Sequence, residues 1–136
     1  MELAVVLALV GLLAVLLMTY RPGFRASPQF AARGLVEDLR AVRETAIRLN
    51  ATQEVVFDDG TLRYRDAVLR EVASGIRLTL SLPEGAARGS GPDTIAFFPD
   101  GSASAASVIL DDDSSVETIT IDWLSGRIRR SSAPIP

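Results

Sequence analysis

At 136 residues the chain has room for one modest domain and an anchor, but not for two cores of ordinary size. It contains no cysteine and no histidine, and all 14 basic residues are arginines, so disulfides, thiolate chemistry and the Ser-His, Cys-His and Ser-Lys nucleophile pairs are excluded. A net charge of -3 argues against a surface that binds nucleic acid wholesale, while leaving room for a local arginine patch.

The first element is MELAVVLALVGLLAVLLMTY, in which Glu2 precedes sixteen uncharged apolar residues, Leu3 to Met18. As a helix these sixteen cover about 24 Å, short of the roughly 30 Å hydrocarbon core, and Thr19, Tyr20 and Arg21 add an interfacial end. The segment 1–21 is therefore expected to be a membrane-spanning helix. A cleaved signal peptide fits less well, because Glu2 stands where positive charge is needed and no small-residue cleavage site follows. Arg21 and Arg25 would by themselves hold the following domain in the cytoplasm, unless residues ahead of Met1 reverse the charge balance.

Pro22-Gly23 breaks the helix over 22–27, and Ser27-Pro28 restarts it with a cap and a first-turn proline. Over 28–50 the residues Ala31, Leu35, Leu39, Val42, Ala46 and Leu49 recur at helical spacing opposite a charged stripe of Arg33, Glu37, Arg40, Glu44 and Arg48. Beyond Asn50 the period becomes two. EVVF and TLRYR flank Asp58-Asp59-Gly60 as a hairpin. IRLTLSL is a further strand, and EGAARGSGPD is a glycine-rich loop lacking phosphate-loop spacing.

TIAFF ends at the turn Pro99-Asp100-Gly101; SVIL follows, then DDDSS. ETITIDW alternates, which places Ile119, Ile121 and Trp123 on one face and Thr118, Thr120 and Asp122 on the other. Ser125-Gly126 turns the chain into RIRR, with Ile128 inward and Arg127 and Arg129 outward, and residues 131–136 are expected to fray. The expected fold is α+β: a long, once-broken N-terminal helix, its second half packed on about seven antiparallel strands, with the globular part spanning 28–130.

ELAVVLALVGLLA at the front and IAFFPDGSASAASVIL with ITIDWLSGRIR at the back resemble the type IV pilin-like proteins. Within them the chain is most similar to the H-type minor pseudopilins of type II secretion, the GspH/FimT family. The resemblance implies a structural, non-enzymatic subunit without cofactor or metal, near the tip of a short periplasmic filament that helps export folded proteins. Its partners would be other minor and major pseudopilins, inner-membrane lipid before assembly, and a prepilin peptidase acting on a leader. The globular domain would lie in the periplasm.

Glu2 matches the family's glutamate, whose implied role is to neutralise a neighbouring subunit's terminal amine in an apolar helix bundle. Met1 stands where the residue before that glutamate belongs, so the expectation is a chain that has lost its leader and first mature residues. The alternative within the family is a minor pilin active in DNA uptake. Gly126, Arg127, Ile128 and Arg129 match its G-R-x-R motif, Arg130 adds a third cation, and binding would be salt-sensitive. Two further readings are weaker. Asp58-Asp59 and Asp111-Asp112-Asp113 are carboxylate pairs that turn and strand geometry explains without catalysis. The stretch Asp111 to Glu117 offers oxygen ligands for calcium, without the spacing of a calcium loop.

Overall fold

The computed structural model describes residues 2–19, 27–84 and 91–134. Helix α1 spans Glu2–Thr19, and all of its described side chains are exposed. Its 18 residues reach about 27 Å, and among the described residues no helix is long and apolar enough to cross a membrane. The expected membrane-spanning first half is thus not shown. The expected break at 22–27 lies outside the described residues except for Ser27, and so does the core of the glycine-rich loop, 85–90.

Helix α2 spans Pro28–Leu49. Ser27 caps it, its hydroxyl accepting from the Phe30 N–H, and Asn50 closes it in the left-handed conformation. Its buried face is wider than the periodicity predicts. Ala32 and Val36 join Ala31, Leu35, Leu39, Val42 and Ala46, while Leu49 is exposed in the last turn. The stripe Arg33, Glu37, Arg40, Glu44 and Arg48 faces outward.

Eight strands follow: β1 (Gln53–Asp58), β2 (Thr61–Tyr64), β3 (Ala67–Val68), β4 (Arg77–Ser81), β5 (Thr94–Phe97), β6 (Ala106–Asp111), β7 (Ser115–Ile121) and β8 (Ile128–Pro134). They form two four-stranded antiparallel sheets, ordered β3-β2-β1-β5 and β4-β6-β7-β8. Asp58-Asp59-Gly60 is the β1–β2 turn, with Asp59 and Gly60 both at positive φ. The sheets meet at β5, where the Ser104 N–H donates to the Ala96 carbonyl and the Ser104 hydroxyl accepts from the Ala96 N–H. Helix α2 lies over both sheets, and Leu35, Leu39, Val55, Leu62, Ile95, Phe97, Val108, Leu110, Ile119 and Ile121 fill the space between.

Two expectations about the C-terminal hairpin are corrected. Trp123 does not share the buried face of Ile119 and Ile121: it is 62% exposed. Strand β7 ends at Ile121, the chain enters a turn at Asp122, and alternation has no meaning once the backbone stops being extended. The supposed frayed tail is also paired, since β8 continues to Pro134 with Val116 opposite Ala133. A run of Ser, Ala and Pro reads as a tail because it lacks large apolar residues, but as a sheet-edge strand it needs only one partner and tolerates that composition.

A side-chain ion pair holds α2 to the β3–β4 connection. The Arg70 guanidinium donates through Nε and NH2 to the two oxygens of the Asp38 carboxylate, at 2.5 and 3.1 Å, and lies directly over Gly34. Hydrogen bonding to Asp38 raises the Arg70 pKa above its ordinary value.

Candidate functional site

The stretch from Asp122 to Arg130 concentrates the chemistry that the globular part exposes. Its turn is built by Asp122, whose carboxylate accepts from the Leu124 N–H (3.0 Å), the Ser125 N–H (2.9 Å) and the Ser125 hydroxyl (3.1 Å). These donors, those of Ser125 first, hold the Asp122 carboxyl below the usual carboxylate range, with help from the charge of Arg129. The Gly126 N–H closes the turn on the Asp122 carbonyl, and Gly126 takes φ 65°, where a side chain is disfavoured.

Helix α2 fixes this turn from beneath through Arg43. Its Nε donates to the Gly101 carbonyl (2.9 Å) and its NH2 to the Ser125 carbonyl (3.1 Å), so one guanidinium joins the β5–β6 and β7–β8 connections. The two loops touch so closely that a Cβ on Gly126 would collide with the Gly101 carbonyl oxygen. The Trp123 carbonyl accepts from the Ala103 N–H at 3.2 Å, a further tie between them.

An open groove runs from this turn along the flank of α2. Arg33, Glu37, Arg40, Arg43 and Glu44 line its helix side, and Ser125 to Arg130 line the other. The three arginines of the RIRR segment do not act alike. Arg127 and Arg129 are exposed. Arg130 instead donates to Glu117 (2.9 Å), a carboxylate with 0% exposure that also accepts from the Ser132 hydroxyl. Arg130 therefore neutralises a buried acid, which corrects its place as a third free cation. Arg40 is likewise turned toward Glu37, at 3.0 Å.

The remaining candidates lie elsewhere. Glu2 stands at the first turn of α1, exposed. The acidic run from Asp111 to Glu117 does not converge: Asp111 pairs with Arg77 at 3.5 Å, Asp112 caps Ser114 and Ser115, and Glu117 points to Arg130. Among the described residues no group of three acidic side chains could hold a metal ion. Asp58 and Asp59 serve the β1–β2 turn, where the Asp58 carbonyl accepts from the Thr61 hydroxyl.

Sequence reasoning missed two residues of this region. Glu117 was legible, because in ETITI it occupies the same parity as Ile119 and Ile121, and a charge on the core face of a strand calls for a partner. Arg43 was not. It is one arginine on a helix with several, and only packing brings the two carbonyls to it.

Residues 31–126 match the family model described as type II transport protein GspH, which runs from the first turns of α2 to the end of the pinned turn. No curated protein matches the chain. No solved structure matches it either.

Proposed function

This chain belongs to the type II transport protein GspH family, and on that premise we propose that it is a minor pseudopilin, a structural subunit near the tip of the periplasmic pseudopilus. Family membership carries the coarser part: a pilin-like component of type II secretion that associates with other pseudopilins. The observation that supports the finer reading is α1, a helix apolar from Leu3 through Thr19 save for Gly11 and the closing threonine, with its described side chains all exposed and one carboxylate at its tip. Such a helix needs an apolar surrounding, which lipid supplies before assembly and a bundle of sister helices supplies afterwards.

In this reading α1 anchors the chain in the inner membrane, the α2 domain lies in the periplasm, and Glu2 pairs with a neighbour's terminal amine as the helices bundle. An unpaired charge in that bundle would cost several kcal/mol, so the pair fixes the register of one subunit against the next. The test is secretion by cells lacking this gene and complemented with the full chain, its Glu2→Ala variant or its Glu2→Asp variant. Glu2→Ala should lose export and pseudopilin crosslinks while Glu2→Asp retains part of both. Export unchanged in the deletion strain would sink the proposal.

A second reading is favoured by the groove, which brings Arg33 of α2 beside Arg127 and Arg129, while Arg40 there is paired with Glu37. A row of cations could engage the phosphates of DNA, as in a pilus subunit used for DNA uptake. The clean test is a DNA-binding titration of the full chain against the double variant Arg127→Ala/Arg129→Ala, leaving Arg130 in place because Glu117 depends on it. Salt-insensitive binding, or none, removes this reading.

A further inference from the structure

The Asp122–Gly126 turn is among the most heavily braced connections in the domain, yet it carries two of its most exposed large apolar side chains. Trp123 is 62% exposed and Leu124 is 70% exposed. Three donors on the Asp122 carboxylate, two hydrogen bonds from Arg43, the Ala103 N–H on the Trp123 carbonyl and the Gly126–Gly101 contact all hold the backbone beneath them. Neither side chain enters the core. The bracing fixes the direction in which both side chains project.

We propose that Trp123 and Leu124 form a rigid knob that inserts into an apolar pocket on a neighbouring pilin-like subunit. Tryptophan anchors of this kind dominate protein interfaces, because a large amphipathic ring is desolvated at little cost in conformational entropy. Holding the turn in its bound shape before contact removes a further cost of association.

The size of the knob points to its occupant. Two side chains offer a few hundred Å² at most, against roughly 800 Å² per partner in a standard interface. Alone they would support affinity only on the order of millimolar. A freely diffusing partner is poorly served by that. A subunit already held alongside in the same assembly is well served, because tethering raises its effective concentration to the millimolar range. Location agrees: the knob sits over Arg43 of α2, about 22 Å along that helix from Pro28, where the chain arrives from α1. It therefore offers a contact away from the N-terminal helices, toward the globular part of the next subunit. Arg127, exposed one residue beyond Gly126, favours a carboxylate on the pocket's rim.

This inference rests on the pseudopilin reading, and the experiment separates the two. A benzophenone-bearing amino acid is placed at position 124, with Trp123 intact, and in a second strain at position 9 in α1. The full chain is produced in membranes with the pseudopilins encoded in the same secretion cluster. The expected result is a crosslink to another pseudopilin from both positions, the one from 124 falling roughly 30-fold when Trp123→Ser is added. Crosslinks from position 9 alone overturn the knob and leave the pseudopilin reading standing. Absence of crosslinks from either position defeats both. As the side chain is exposed, Trp123→Ser should leave the thermal midpoint within about 2 °C of the parent. A larger fall would mean that the side chain serves the domain itself, and would overturn the proposal.

Discussion

Replacing Arg130 with alanine strands a carboxylate. Glu117 has 0% side-chain exposure, and its partners are the Arg130 NH1 at 2.9 Å and the Ser132 hydroxyl. Removing one member of a buried ion pair costs about 3–5 kcal/mol, because the remaining charge keeps its desolvation penalty and loses its compensation. The Arg130 side chain is 29% exposed, so water can enter where the guanidinium stood and the lower end of that range, about 3 kcal/mol, applies. For a domain of this size that lowers the thermal midpoint by roughly 10 °C.

Urea and thermal denaturation of the full chain, followed by far-ultraviolet circular dichroism, measures the loss. The informative control is the double variant Glu117→Leu/Arg130→Met. It removes both charges and keeps the volume, and should fall within about 1 kcal/mol of the parent or exceed it. If Arg130→Ala melted within about 0.5 kcal/mol of the parent, Glu117 would not depend on that guanidinium. The assignment of Arg130 as the partner of Glu117 would then fail.

Three further outcomes follow from the same geometry. Gly126→Ala should destabilise by about 2 kcal/mol or more in urea denaturation, since it adds a Cβ at φ 65° and drives it into the Gly101 carbonyl. Gly34→Ala should displace the Arg70 guanidinium from above the helix, where the new Cβ would lie 2.5 Å from it; the cost of about 1 kcal/mol should vanish when Arg70→Ala is already present, a non-additivity that a double-mutant cycle reads directly. The Asp122 carboxyl should titrate below the ordinary value of about 3.9 in a carbon-detected NMR titration. Because its folded pKa is lowered, its contribution to stability is complete above the unfolded value and disappears as pH falls through the folded one, so the turn should loosen only in strongly acidic solution.

Local periodicity carried a large part of the architecture. The helical spacing from Ala31 to Ala46 placed α2 on a core, Ser27-Pro28 marked its start, and Asp58-Asp59-Gly60 marked a hairpin, because caps and tight turns depend on a few neighbouring residues. Ile119, Ile121 and Ile128 are buried as alternation requires. Trp123 shows where that logic stops: hydrophobicity predicted burial, but the strand ended two residues earlier. The run Ser131 to Ala133 failed in the opposite direction, since pairing with β7 holds in the sheet residues that composition would leave loose.

The sequence by itself determined the chemistry available to this protein. With no cysteine, histidine or lysine, function falls to apolar surfaces, carboxylates and arginines, and the apolar front with Glu2 at its head and the SGRIR turn at its back already marked the pilin-like family. Tertiary structure decided what each arginine does. Arg43 is spent on two carbonyls from loops 58 and 82 residues away, Arg130 on a buried acid, Arg70 on a helix carboxylate, while Arg127 and Arg129 stay in solvent beside α2. The side chains are chemically identical, and their roles diverge because desolvation and hydrogen-bond geometry depend on contacts that only the folded chain assembles.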